Sequence, residues 1–233
     1  MRPWLFDVGS NIGVHTVAVG AAGFGVIAIE ANPATAARLR CSIAANTLAP
    51  RVALLNVAVG GAGSPPHVCI EQKDSDNRGT AFVRGGSGPC AKGAAAVPTL
   101  VLDALFEALP AALPPPTVLK IDVEGFELFA LRGGDSWLHR APPPFVLIEV
   151  QPDLLARAGA RFQDVITFWL ERGYHGWVPA GGSRAPQPEI ALADIETEER
   201  AGGLRSRMQR CGYTAIFSLA PELPVSTPKK LCG

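Results

Sequence analysis

Trp4-Leu5-Phe6-Asp7-Val8-Gly9-Ser10-Asn11-Ile12-Gly13 is an apolar run, an acidic residue, a Gly-x-x-x-Gly turn and the start of a segment able to form a helix. That is how a buried parallel strand runs into a cofactor-binding turn. Glycine suits such a turn because it bends tightly and lets a ligand approach the backbone closely. About twenty residues on, a second apolar run, Gly25-Val26-Ile27-Ala28-Ile29, ends in Glu30. A carboxylate at the tip of the second strand of a βαβ unit is placed to accept hydrogen bonds from a ribose diol. The pair predicts a nucleoside-containing cofactor.

The turn lacks the G-x-G-x-x-G of a dinucleotide site and the Lys-Ser/Thr of a P-loop. Its pattern, Asp-x-Gly-x-x-x-Gly with an acidic residue closing the next strand, resembles the first motif of class I methyltransferases. The resemblance implies S-adenosylmethionine, its methionine end at the glycine turn and its ribose at Glu30.

The rest of the chain bounds the class. It has 233 residues, 48% of them apolar and 18% charged, as expected of one soluble globular domain with a sizeable core. The 21 basic and 21 acidic residues balance, so no field draws nucleic acid or an anionic membrane, and neither is an expected partner. No apolar stretch reaches the ~18 residues of a membrane span. The first strand starts almost at Met1, which leaves no room for a signal peptide; a cytoplasmic or organellar (plastid) location is expected. Cys41, Cys69, Cys90, Cys211 and Cys232 are odd in number and lack ligand spacing, so neither a disulfide scaffold nor a zinc site is expected.

In chain order, helices are expected over 11–22 and, from the Asn32 cap and Pro33, over 34–46. A third strand is expected over 51–57, stopping at a turn, Ala58-Val59-Gly60-Gly61. Residues 61–96 read as an insertion: a hairpin of 67–71 and 80–84 about the polar run Asp74–Thr80, and a mobile stretch 85–93. That insertion is either a solvated loop or a substrate-facing lid. Further strands are expected at 117–121, 145–150, 174–178 and 213–219, with helices at 126–131, 162–171 and within 190–210. The loop 179–188 and a disordered tail over 221–233 complete one domain over 1–220. Strands alternating with helices give the fold class: α/β, a doubly wound, mostly parallel seven-stranded Rossmann-like sheet with an antiparallel C-terminal edge hairpin and the β-hairpin insertion.

Beyond the fold, Phe6–Gly13, Ile29-Glu30-Ala31-Asn32-Pro33, Asn56–Gly60, Thr99–Asp103, Leu119-Lys120-Ile121-Asp122-Val123-Glu124-Gly125 and Leu147–Val150 resemble, in order and spacing, the FkbM-type methyltransferases. The likeness runs from about Phe6 to Tyr174, and Lys-Ile-Asp-Val-Glu-Gly is its most diagnostic segment. It implies methyl transfer from S-adenosylmethionine to a hydroxyl of a sugar or other small molecule. Because class I methyltransferases often carry a helix ahead of the first strand, the resemblance also implies a segment missing before Trp4.

The cofactor contacts implied are Asp7, Gly9, Ser10, Asn11, Gly13, Glu30, Asn32, Asn56, Val57 and Asp122, with Asn56-Val57 beside the adenine and Asp7 bracing the turn through backbone N–H groups. Asp122 and Glu124 are the catalytic candidates. Asp122 stands at the strand end where ligands bind in open α/β sheets, either taking the hydroxyl proton or holding the cofactor's amino group. Glu124 and Glu149 with Asp122 form an oxygen-rich set, but no metal is assigned. His15 is either structural or at the pocket edge. Two rivals remain. A short-chain oxidoreductase needs a Tyr-x-x-x-Lys pair that neither Tyr174 nor Tyr213 supplies. The other is a non-catalytic descendant that keeps the fold as a binding module.

Overall fold

In a computed structural model, the structure describes residues 3–71, 82–85, 88–110, 113–179, 189–209 and 212–221. The expected polar turn at 74–80, most of the loop at 179–188 and the tail beyond 221 lie outside them. Two compact units emerge, 1–120 with 129–143, and 121–128 with 144–233.

The first unit is built on β1 (Trp4–Val8), β2 (Gly25–Ile29) and β3 (Val52–Leu55), all parallel, with Trp4 opposite Gly25 and Val26 opposite Val52. All five residues of β1 are buried, as a strand covered on both faces requires. The helix α1 (Val14–Ala21) follows the turn and α2 (Pro33–Ala45) follows β2. From α2, Leu39 and Ile43 pack on Leu5, Val26 and Ala28. Asn32 caps α2: its side chain accepts from the Ala34 and Thr35 N–H groups, and Pro33 occupies the first turn, where a missing N–H costs nothing.

Two local expectations are corrected. The first helix begins at Val14, three residues late, because Asn11 (φ 51°) and Gly13 (φ 92°) are left-handed and cannot enter a right-handed helix. The segment expected only to turn, Ala58–Gly60, is a strand, β4, because it finds a parallel partner in Thr99–Val101.

That partner belongs to β7 (Ala95–Val101). With β5 (His67–Glu71) and β6 (Phe82–Gly85) it makes a second sheet in the order β4-β7-β5-β6. Val68, Ile70, Val97 and Ala58 form its core. The cysteine expectation is corrected here as well. Cys69 of β5 is bonded to Cys90, 21 residues on. An odd total does not forbid one pair, and the cross-link closes a loop of a length worth about 3 kcal/mol in the chain-entropy account. The helix α3 (Leu102–Ala108) follows β7, and β8 (Val118–Ile121) lies beside β1. Helix α4 (Glu127–Arg132) spans the 128/129 boundary between the units. The helix α5 (Asp135–Arg140) carries Trp137, which stacks on Phe106 at 3.4 Å.

In the second unit, β9 (Phe145–Glu149) pairs antiparallel with β12 (Thr214–Ser218), and β12 pairs antiparallel with β10 (His175–Trp177), which also takes the two-residue β11 (Glu189–Ile190). Of its helices α6 (Pro152–Arg157), α7 (Phe162–Leu170) and α8 (Glu198–Gln209), α7 buries Phe162, Val165, Ile166, Phe168 and Trp169. Trp169 packs edge-on to Tyr174 and against Phe217. Helix α8 buries Ala201, Leu204 and Met208, spaced for one face. Among the described residues no helix is long and apolar enough to cross a membrane.

Candidate active site

The turn between β1 and α1 is closed on itself. The N–H groups of Gly9 and Ser10 both donate to the Ile29 carbonyl at 2.9 and 2.8 Å, and Ser10 Oγ donates to the same oxygen at 3.2 Å. Asn11 N–H donates to Glu30 Oε2, Ile12 N–H to Asn11 Oδ1, and Gly13 N–H to the Ser10 carbonyl. All five N–H groups from Gly9 to Gly13 are therefore committed. None of these five N–H donors is left to cradle a pyrophosphate, which argues against a dinucleotide at this turn. Gly13 is required twice over: its φ is left-handed, and an added Cβ would lie 2.2 Å from Leu39 Cδ1.

Glu30 anchors the other side of this site. Its Oε1 accepts from Asn32 N–H and its Oε2 from Asn11 N–H, both at 2.8 Å. One N–H per oxygen leaves lone pairs for two further donors, as a diol supplies. Burial pushes the Glu30 carboxyl above its ordinary value, outweighing the lowering by those two N–H groups and by Lys120. Asn56 donates from Nδ2 to the Glu30 and Ala31 carbonyls at 2.8 and 3.0 Å. The Asn32 and Asn56 side chains thus shape the exit of β2, and Val57, half-buried, follows directly. His15 is exposed on α1.

Asp7 is fully buried and braces the turn by a route other than the expected one. Thr16 Oγ donates to Asp7 Oδ2 at 2.6 Å, Lys120 Nζ lies 3.4 Å from Oδ1, and the same Nζ donates to the Gly9 carbonyl at 2.5 Å. The turn N–H groups are spent elsewhere, so the brace is a side-chain relay, Thr16-Asp7-Lys120, ending on Gly9. Lys120 was not among the expected site residues. Its signal was a single cation inside the apolar run Val118-Leu119-Lys120-Ile121.

Asp122 and Glu124 belong to the second unit, in the turn after β8. Glu124 (φ 55°) and Gly125 (φ 100°) are left-handed. Glu127 Oε1 holds this turn by accepting from the Val123 and Gly125 N–H groups at 3.0 and 3.2 Å, a role the sequence reading missed. Burial pushes the Glu127 carboxyl up to about 7. Glu149, at the end of β9, is pushed up to about 8, by burial first and then by the charges of Asp122 and Glu124; it also shares a hydrogen bond with Asp122. Burial and the surrounding carboxylates thus favour the protonated form of Glu149.

Since its folded pKa is above the unfolded value of 4.5, the folded chain holds more protons than the unfolded one between the two, and the associated stability is lost as pH rises towards 8. Urea midpoints measured from pH 5 to 8 should fall, and Glu149→Gln should flatten that decline. An unchanged slope in the variant would remove Glu149 from the account.

The sequence profile of the methyltransferase FkbM domain family matches residues 7–175. The chain belongs to this family. Among curated proteins, the chain is 32% identical over 148 residues to the hexuronic acid methyltransferase AglP of Haloferax volcanii, an alignment spanning 63% of this chain and about half, 55%, of that protein. Among solved structures, the methyltransferase FkbM of Methylobacillus flagellatus superposes with a TM-score of 0.44 at 18% identity, covering 71% of this chain and 35% of that one. The O-methyltransferase TomG of Streptomyces achromogenes, solved with S-adenosylmethionine, gives 0.48 at 11% identity, covering 93% and 73%. The family match takes in every expected site residue, from Asp7 to Glu124.

Proposed function

We propose that the chain is an S-adenosylmethionine-dependent methyltransferase that methylates an oxygen of a small molecule, a sugar above all. Membership of the FkbM domain family supports the methyltransferase class, and the likeness to a hexuronic acid methyltransferase supports a sugar acceptor. The observation that carries the cofactor assignment is the turn: five N–H groups committed internally, and Glu30 with acceptor capacity to spare. The residues present fit a cofactor with a ribose and no pyrophosphate better than a dinucleotide.

When bound, this cofactor supplies an electrophilic methyl group on a sulfonium. The residues of the chain bind and align. The Gly9–Gly13 turn receives the methionine end, Glu30 accepts from the ribose hydroxyls, and Asn56-Val57 border the adenine. Methyl transfer is an in-line displacement, so alignment is the main contribution. Asp122, which shares a hydrogen bond with Glu149, takes the proton of the acceptor hydroxyl, with Glu124 two residues on in the same turn. No metal is assigned to these carboxylates.

Calorimetric titration with S-adenosylmethionine and S-adenosylhomocysteine is the test. Wild-type chain should bind in the micromolar range, and Glu30→Ala should weaken binding by about tenfold or more, roughly 1.4 kcal/mol. Glu30→Gln keeps one acceptor oxygen and should lose less. Absence of binding by folded wild-type chain would leave the non-catalytic module as the better account.

A further inference from the structure

His67, Cys69 and Cys90, in the second sheet of the first unit, offer one ligand atom each within 4.8 Å of one another. None of them has a role in the chemistry proposed above. His67 and Cys69 stand two residues apart on β5 and so share its half-buried face, opposite the buried Val68 and Ile70. Cys90 reaches them from the segment that precedes β7, and the two cysteines have Cα atoms 5.4 Å apart.

The imidazole is already oriented. His67 Nε2 lies 3.1 Å from the Gly88 carbonyl. A carbonyl only accepts, so in the neutral ring Nε2 carries the proton and Nδ1 keeps the lone pair. An imidazole whose second nitrogen is tied to a backbone carbonyl is the usual arrangement of a metal-ligating histidine. Gly88 stands two residues before Cys90. One short segment therefore supplies both a sulfur and the acceptor that sets the tautomer.

We propose that, once the Cys69–Cys90 bond is reduced, the chain binds a zinc-class divalent cation through Cys69 Sγ, Cys90 Sγ and the His67 imidazole, and that the oxidised form excludes it. Reduction by a dithiol breaks the sulfur–sulfur bond. Two electrons and two protons pass to the cysteines, and the reductant closes its own disulfide. The cation then displaces the two thiol protons to solvent, forming two metal–sulfur bonds and one bond from the imidazole lone pair. Water fills the fourth position of the tetrahedron. A tetrahedral zinc with bonds of about 2.3 Å to sulfur and about 2.0 Å to nitrogen sets its ligand atoms roughly 3.5–3.8 Å apart, so the two sulfurs, once the bond between them is broken, need only part to a distance under the 4.8 Å within which the three ligand atoms lie. Each sulfur has one position to give, to the other sulfur or to the metal, so the two states exclude each other.

The test uses the full chain with Cys41, Cys211 and Cys232 replaced by serine, so that no other thiol contributes. The protein is reduced with dithiothreitol, freed of it under anaerobic conditions and titrated with cobalt(II). One equivalent should give sulfur-to-cobalt charge-transfer bands with tetrahedral intensity, and zinc should abolish them. The oxidised sample should give none. His67→Ala should weaken cobalt binding at least tenfold while leaving both thiols titratable. Circular dichroism on the same samples reports folding. A reduced, folded chain without those bands would overturn the proposal, as would equal affinity in His67→Ala or loss of the fold on reduction.

Discussion

Lys120→Met is expected to destabilise the chain by about 3–5 kcal/mol, the cost of leaving a buried charge without its partner. Asp7 is fully buried and the Lys120 side chain is 7% exposed. With the ammonium removed, the Asp7 carboxylate keeps only the Thr16 hydroxyl, and the Gly9 carbonyl loses its donor. Methionine matches the length of the lysine stem, so volume is nearly kept and the effect reports charge. The double variant Asp7→Asn/Lys120→Met should recover much of the loss, because no uncompensated charge then remains. Urea denaturation of the two single variants and the double gives the coupling. If Lys120→Met cost less than about 1 kcal/mol, the ion pair would not be what neutralises Asp7, and the relay that ends on the glycine turn would fall with it. Cofactor affinity should drop in Lys120→Met even where the chain is folded, since the Gly9 carbonyl is no longer held.

Gly125→Ala is expected to cost about 2–6 kcal/mol, combining left-handed backbone strain with overpacking. The residue has φ +100°, and an added Cβ would lie 2.5 Å from the Leu154 carbonyl oxygen and 2.6 Å from its carbon. Backbone cannot yield there as the end of a side chain can. For a chain of this size that corresponds to a fall in Tm of roughly 10 °C. Gly159→Ala is the control: its φ is +82° with nothing within 4 Å of the added atom, so it isolates the backbone part. Scanning calorimetry on both variants separates the two contributions. Equal losses would mean that the contact with Leu154 relaxes freely.

What could be seen in the sequence follows from how local the physics is. The strand Trp4–Val8, the glycine turn and Glu30 at the end of β2 show plainly because strand, turn and acidic tip fall within 27 residues and each follows its own rule. The Asn32-Pro33 start of α2 shows for the same reason. The left-handed Asn11 was hidden, since asparagine is tolerated in either conformation and its neighbour Glu30, through Oε2, fixes the outcome. Ala58–Gly60 resembles a turn until its partner 41 residues later, Thr99–Val101, is known. The Cys69–Cys90 bond depends on a strand and a loop meeting, which no count of cysteines reveals. Lys120 and Glu127 were visible as charges in apolar company; only their partners, Gly9 with Asp7 and the 123–125 N–H groups, assign them work.

The division of the chain has a consequence for anyone who would take it apart. The backbone passes from one compact unit to the other at 120/121, returns at 128/129 and leaves again at 143/144. No single cut therefore yields two intact halves. A fragment starting at Pro144 would carry Glu149 but not Asp122, Glu124 or Glu127, and without those neighbours the Glu149 carboxyl would return towards its ordinary value. Only a split that hands residues 121–128 to the C-terminal piece in trans would restore them. For recombination and for split-protein reporters alike, a cut at 143/144 parts Glu149 from residues 121–128 of its own unit.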